Sequence, residues 1–358
     1  KNRGDFNRLR RQKDRKMRET VIRTHKPYKY ITYDSFAGLS EELFAVVKSD
    51  RLFVVYDKNT KKLFAKELRE ELCEFSLCEI VVPEGEKCKN FGCYKRLAEK
   101  LAENGADRTS ALLAVGGGAV SDLVGFVAAT FMRGITYCVC PTTILSAIDA
   151  SVGGKTAVDL SFGKNLIGAF YSPALVYANV SCFDFLPARE VESGMGEAVK
   201  YAFIDKRVSA EDIAGDMENL VMKCVEIKNE IVKKDEFETK PRGGRTVLNL
   251  GHTIGHALEA SSGYSLSHGL CVAYGIKRII DLSADFYGLS NEKIEEMNAL
   301  LNVYPFDFSF AADMRDVKSR MLFDKKVTGS DVMLVLLKGV GEPAVEKAPI
   351  SKVWKLLK

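Results

Sequence analysis

A five-residue apolar run, Ala111-Leu-Leu-Ala-Val, leads into Gly116-Gly-Gly-Ala-Val-Ser-Asp and then into a helical pattern from Leu123 to Phe131. A buried strand that turns through glycines into a helix is half of a βαβ unit, and such units build parallel sheets. The same alternation fills the first half of the chain. Arg51-Leu-Phe-Val-Val-Tyr-Asp reads as a buried strand, residues 61–75 as a helix, and Glu79-Ile-Val-Val-Pro as a second strand. A helix over 90–104 closes at Gly105, and Ile135-Thr-Tyr-Cys-Val-Cys-Pro gives a further strand. Beyond Pro187 the period changes. Residues 189–204, 208–234, 250–262, 268–288, 290–302 and 313–321 have helical spacing, and a strand signal returns only at Val332-Met-Leu-Val-Leu-Leu, before a helix near 350–357. The expected architecture is α/β: an N-terminal Rossmann-like parallel-sheet domain over 30–187 and a mainly α-helical domain over 188–358. No low-complexity linker separates them, so the site is expected in the cleft between them.

The net charge of +4 conceals an asymmetry. Residues 1–29 hold twelve Lys/Arg against three Asp/Glu, so the rest of the chain carries −5. The basic face of a nucleic-acid-binding domain is therefore not expected. The tail reads as a solvated, disordered arm or an appended segment, with weak polyanion binding as the third reading; it lacks the apolar stretch of a secretory signal. No run approaches 18 uncharged apolar residues, which argues against a membrane span. The nine cysteines contain no Cys-x-x-Cys pair and read as reduced thiols, hence a cytoplasmic protein.

Three segments carry candidate chemistry. His252 and His256, two of only four histidines, stand four residues apart in Asn249-Leu-Gly-His-Thr-Ile-Gly-His-Ala-Leu-Glu, on one face of a helix. With His268 and the upstream Glu197 they suggest a metal site with an open position; an ordinary helix surface is the plain reading of the pair. Glu259 either points at that metal or completes the exposed helix face. The Gly116-Gly-Gly turn suits a phosphate at a helix N-terminus, although it is not a GxGxxG fingerprint. Asp122 just beyond it either bonds a ribose or favours the helix start. Asp149, Lys155, Lys164 and Asn165 cluster in glycine-bounded loops that suit phosphate or carboxylate groups, or are exposed surface residues. Glu238, Arg245, Asn249 and His252 form an acid–Arg–Asn–His series, read either as anion-binding and acid–base groups or as a solvated charge run.

Taken in order, these motifs resemble the 3-dehydroquinate synthase family. The likeness runs from Val54 to Pro343. It is carried by residues 116–134, Pro141-Thr-Thr through Asp159, Gly163-Lys-Asn-Leu-Ile-Gly, Glu197-Ala-Val-Lys, residues 248–259 and Asp324-Lys-Lys. The resemblance implies a shikimate-pathway lyase that converts 3-deoxy-D-arabino-heptulosonate 7-phosphate to 3-dehydroquinate and phosphate. It implies NAD and a divalent metal, zinc or alternatively cobalt, as cofactors. Glu197, His252 and His268 match the metal ligands. His256 and Glu238 match proton acceptors. Asp149, Lys155, Asn165, Lys200, Lys228, Arg245 and Asn249 match substrate contacts, and either Lys325 or Lys326 a late one. Arg133 matches a phosphate contact supplied by a neighbouring subunit, which implies a homodimer. Asp57, Asn59, Glu86, Lys89, Gly117, Gly118, Asp122, Thr142, Thr143 and Lys164 match NAD positions. The chain departs from the family pattern at Leu270, where Glu is usual, at Phe185, where Thr is usual, and in a longer stretch over 239–244. A related sugar-phosphate cyclase of the epi-valiolone or deoxy-inosose type, and a metal-dependent alcohol dehydrogenase, are the alternatives.

Overall fold

The computed structural model describes residues 17–240, 243–322, 327–328 and 331–357. In chain order its first strands are β1 (Arg18–Ile22), β2 (Tyr28–Tyr33), β3 (Arg51–Asp57), β4 (Ser76–Val82), β5 (Ala111–Gly116), β6 (Thr136–Pro141), β7 (Lys155–Leu160), β8 (Gly163–Phe170) and β9 (Leu175–Asn179). All but β7 and β8 join one seven-stranded sheet in the order β1-β2-β9-β6-β5-β3-β4. Every neighbouring pair from β2 to β4 is parallel, and β1 alone runs antiparallel to its neighbour. Parallel strands covered on both faces are apolar throughout, and every residue of β5 and β9 is buried.

Helices α1 (Leu39–Phe44), α2 (Lys58–Glu71), α3 (Phe91–Glu103) and α4 (Gly118–Thr130) supply the crossovers. Asp57 ends β3 and caps α2, accepting bonds from the Asn59 and Thr60 amides at 2.8 Å each. Asn90 caps α3 through the Cys93 amide at 3.0 Å. From β3 the chain steps outward to β4 and then returns past β3 to β5, so the strand order reverses there. In open α/β sheets ligands bind beyond the carboxyl ends of strands at such a switch point. Here that crevice lies beyond Asp57 and Gly116.

The helical half comprises α5 (Ala188–Ile204), α6 (Ala210–Ala214), α7 (Met217–Lys234), α8 (His252–Ser261), α9 (His268–Tyr287), α10 (Asn291–Leu301), α11 (Met314–Met321) and α12 (Ile350–Leu356). A small antiparallel sheet of β10 (Val327–Thr328), β11 (Asp331–Leu337) and β12 (Pro343–Pro349) closes it. The central element is α9. Its Ser283 hydroxyl accepts a buried bond from the Leu337 amide at 2.9 Å, tying it to β11. Against α5 and α8 it packs backbone to backbone. A Cβ placed on Gly196 would lie 2.2 Å from the Gly269 carbonyl oxygen, and one on Gly275 would lie 2.0 Å from that of Gly251. Only glycine permits such an approach.

Four expectations are corrected. Residues 18–22, assigned by their charge to a solvated tail, form β1: Ile22 is fully buried, and the strand edge is held by Asn229 of α7, which accepts from the Arg23 amide at 2.8 Å and donates to the Val21 carbonyl at 2.9 Å. Residues 155–170, read as glycine-bounded loops, are the β7–β8 hairpin; β8 is exposed nearly throughout, so no apolar alternation marks it. The single helix expected over 208–234 breaks at Gly215, where Asp216 starts α7 by accepting from the Asn219 amide. The hairpin partner β12 was not anticipated. Replacing Gly275 with Ala is expected to lower stability by about 1–3 kcal/mol, because the intruding methyl meets rigid backbone. Denaturant midpoints of the two proteins measure the change.

Candidate active site

Three of the four close-packed glycines neighbour a candidate ligand. Gly196 precedes Glu197 on α5, Gly251 precedes His252 on α8, and Gly269 follows His268 on α9. The backbone contacts therefore bring the three side chains together. Glu197 Oε1 lies 3.3 Å from Nε2 of His252 and 3.3 Å from Nε2 of His268. Ligand bonds of about 2.1 Å in a tetrahedron place donor atoms about 3.4 Å apart, so the two separations from Glu197 match those around one zinc-like ion. The His256 ring stands 5.1 Å from that of His252 and 5.7 Å from that of His268, and nitrogens of the three imidazoles lie within 4.8 Å of one another. His256 is exposed whereas Glu197 is 1% exposed, so the carboxylate forms the floor and His256 the mouth.

Both candidate ligand histidines are held at their other nitrogen. His252 Nδ1 donates to the Leu250 carbonyl at 3.0 Å, which directs Nε2 inward. His268 Nδ1 lies 3.0 Å from Glu259 Oε2. Glu259 thus does not complete an exposed face. It was legible as the third member of a His252–His256–Glu259 stripe at helical spacing. Lys200 pairs with Glu197 beneath the histidines. Burial opposes ionisation of Glu197, but Lys200 and His252 outweigh it and hold the carboxyl well below the usual range.

A second group adjoins the first. Residues 146–150 form a π-turn, a geometry frequent at functional sites. Three buried tyrosine hydroxyls pin this region: Tyr30 donates to the Ala147 carbonyl at 2.8 Å, Tyr28 to that of Ser151 at 2.9 Å, and Tyr201 lies 3.3 Å from Asp149 Oδ1. No sequence pattern marked these tyrosines. Lys228 from α7 donates to Asp149 Oδ1 at 2.6 Å and to the Asp149 carbonyl at 2.7 Å. Burial works against the Asp149 charge, yet Lys228 and Lys200 hold its carboxyl at about 2. Burial in turn drives the Lys228 ammonium down to about 8. Arg245 is buried and donates from Nη1 to the carbonyls of Glu236 at 2.8 Å and Gly153 at 3.2 Å. The lengthened 239–244 stretch is anchored by Asp235, which accepts from the amides of Thr239, Lys240 and Arg245. Lys155 pairs with Glu238, which Asn249 also bonds; Glu238 and Asn165 have left-handed backbone, with φ of 53° and 58°.

The switch-point crevice gathers the remaining group. Gly117 begins α4 without a side-chain cap and leaves its first amides facing outward, as an anion site requires. Thr142 is buried beside it, its amide bonded to the Gly116 carbonyl at 3.0 Å, and Thr143 accepts from the Ser146 amide at 3.0 Å. Asp122 pairs with the buried Lys89 at 2.6 Å. Asn59 bonds Glu84 at 3.2 Å. A cavity of about 480 Å³ between the α/β half and the helical half is lined by Glu86, Asp159, Lys164, Glu259 and His268. Phe185 lies 58% exposed, its ring edge-on to Phe64 of α2, and Leu270 is buried in the first turn of α9. Arg133 stands apart: it is exposed at the far end of α4, about 20 Å of helix from Gly118. Lys325 and Lys326 lie outside the described residues.

Family models for the N-terminal and C-terminal parts of 3-dehydroquinate synthase match residues 79–193 and 194–327. The chain belongs to the 3-dehydroquinate synthase family. It is 36% identical over 345 residues to the 3-dehydroquinate synthase of Thermoanaerobacter pseudethanolicus, covering 92% of this chain and 96% of that one. The synthase of Listeria welshimeri is 36% identical over 328 residues, covering 88% and 89%. Among solved structures, 2-deoxy-scyllo-inosose synthase with carbaglucose-6-phosphate, NAD+ and Co2+ superposes with a TM-score of 0.86 at 23% identity, covering 96% of this chain and 99% of that one. The 2-epi-5-epi-valiolone synthase of Streptomyces hygroscopicus, with NAD+ and Zn2+, gives 0.80 at 19% identity, covering 92% and 95%. These sugar-phosphate cyclases share the fold of this dehydroquinate synthase family member.

The Asp149–Lys228 pair makes a pH prediction. The unfolded chain holds the Lys228 proton at the ordinary lysine value of 10.5 and the fold at about 8, so the unfolded state binds more protons between these values. The cost of burying the charge is present below pH 8 and fades above it. The unfolding free energy of the native protein relative to Lys228→Met should rise across pH 8–10.5; a flat difference contradicts the assignment.

Proposed function

We propose that this protein is a NAD- and metal-dependent 3-dehydroquinate synthase acting in the cytoplasm. It converts 3-deoxy-D-arabino-heptulosonate 7-phosphate to 3-dehydroquinate and phosphate in the shikimate pathway, which leads to the aromatic amino acids. The observation that carries the reading is the tetrahedral-edge spacing of Glu197, His252 and His268 beside a switch-point crevice. Glu197, His252 and His268 would hold the divalent ion, which would supply Lewis-acid polarisation of the substrate oxygen at C5, and the crevice residues would hold NAD, which would supply reversible hydride transfer at that carbon. Because NAD would end as it began, the net reaction is that of a lyase.

The chain's own residues do the rest. Gly117, Gly118, Thr142 and Thr143 receive the dinucleotide at the start of α4, with Asp57, Asn59, Glu86, Lys89, Asp122 and Lys164 along the crevice. Lys155, Asn165, Lys200, Lys228, Arg245 and Asn249 bind the anionic and hydroxyl groups of the sugar, and Asp149 holds Lys228 in place. The Glu238 carboxylate, kept ionised by Lys155, Arg245 and Asn249 against the effect of burial, accepts a proton. His256, at the mouth, is the second acceptor. Strain in the left-handed backbone of Glu238 and Asn165 is of the kind found where a side chain must be aimed at a ligand.

Arg133 contacts the phosphate from a neighbouring subunit of a homodimer. Two observations support this. Arg133 is separated from its own crevice by the length of α4. The nearby β7–β8 hairpin also exposes Leu160, Phe162, Leu166, Ile167 and Phe170, an apolar surface suited to a second copy. Nine free cysteines support the cytoplasmic placement, and among the described residues no helix is long and apolar enough to cross a membrane.

The metal-loaded protein, given NAD and the heptulosonate phosphate, should release phosphate and dehydroquinate in equal amounts with no net NADH. Phosphate without dehydroquinate indicates another cyclase, and NADH accumulation on a polyol indicates a dehydrogenase. His252→Ala should lose zinc uptake and turnover together. Arg133→Ala and His252→Ala proteins, each inactive or impaired, should regain activity when mixed and allowed to exchange subunits. Failure to complement overturns the shared-site reading.

A further inference from the structure

Glu259 sits on α8, seven residues after His252, with its side chain 13% exposed. Its two oxygens serve different partners. Oε2 lies 3.0 Å from His268 Nδ1, and Oε1 lies 3.4 Å from Nζ of Lys164 on β8. The Lys164 ammonium is held in turn by Glu86, 3.8 Å away across the crevice, and by the ring of Tyr264, whose centroid is 4.4 Å away. Lys164 therefore bridges the α/β half and the helical half at the wall of the 480 Å³ cavity.

We propose that Glu259 is a positioning residue for the metal ion, and that Lys164 fixes which of its oxygens serves His268. The proposal rests on the metal-site reading above and extends it to a residue that touches neither ion nor substrate. The chemistry of the contact defines the requirement. His268 directs Nε2 at the ion only if Nδ1 carries the proton, so Nδ1 is a donor, and the Lys164 ammonium has donors alone. A group between two donors needs two acceptors. A carboxylate has them; a carboxamide has one, and must turn an N–H toward either His268 or Lys164. Glutamine at 259, nearly the same shape, thus fails in a way that depends on Lys164.

The experiment is zinc affinity of the full-length chain, stripped of metal and titrated with zinc alone against a chromophoric chelator. Glu259→Gln should weaken binding about 10–100-fold, the usual effect of losing an outer partner of a ligand histidine. In a Lys164→Met background the carboxamide is free to turn its oxygen to His268, so the same substitution should cost about tenfold less. Glu259→Asp keeps both acceptors but withdraws them by one methylene, and its affinity should fall between those of the native protein and Glu259→Gln. Thermal midpoints of the stripped proteins, expected to be equal, separate positioning from lost folding. Native-like affinity in Glu259→Gln overturns the role of Glu259, and an equal penalty in both backgrounds overturns that of Lys164. A native protein that takes up no zinc overturns the metal site itself, and is a different result.

Discussion

The structure depends on the backbone contact of three helices at glycine. Helices separated by ordinary side chains stand 8–10 Å apart, and residues on them reach one another only through flexible rotamers. At Gly196 against Gly269, and Gly251 against Gly275, carbonyl oxygens occupy the space a Cβ would take. The candidate ligands adjoin these contacts in sequence, so their geometry is inherited from rigid backbone and not from flexible rotamers alone. Preorganisation of this kind matters for an electrostatic catalyst, because a dipole already in place needs no reorganisation as charge develops.

The same economy governs the other half. Parallel strands order their carboxyl ends along one edge, and the reversal at β3 opens a crevice there. The Asp57 carboxylate and the Thr142 amide are engaged in holding the edge itself, one capping α2 and the other bonded to Gly116. The crevice walls are thus rigid before any ligand arrives. From the opposite side, Asp149 is pinned by Tyr201 and Lys228 within a π-turn that buried tyrosines hold. The site lies between two surfaces that are each fixed by their own hydrogen bonds.

How much of this was legible follows burial. Strands β3, β5 and β6 announce themselves as apolar runs because both faces are covered. The β7–β8 hairpin does not, since an exposed strand carries no hydrophobic period. Charge hid β1: Arg18, Glu19 and Arg23 frame it, and its single deep anchor is Ile22. In the candidate site, the spacing of His252 and His256 was visible as a helix face. Glu197 and His268 could be grouped with it from the scarcity of histidine, but which of the four are ligands came only through the family pattern, because nothing local links residues so far apart. Spacing favours His252 and His256 as a pair, whereas the structure sets Glu197 at the same 3.3 Å from His252 and from His268. Glu259 lay on the visible stripe, but its lysine partner is 95 residues away and no periodicity reaches it.

The charges around this cleft have a consequence for selectivity. Five cations, Lys155, Lys164, Lys200, Lys228 and Arg245, are each already held by a protein acceptor: Glu238, Glu259, Glu197, Asp149 and the Glu236 carbonyl. An anionic guest therefore meets positive groups whose directions are fixed before it arrives, so little ordering is left to be done on binding. A neutral sugar gains less from them, since each cation keeps the partner it has.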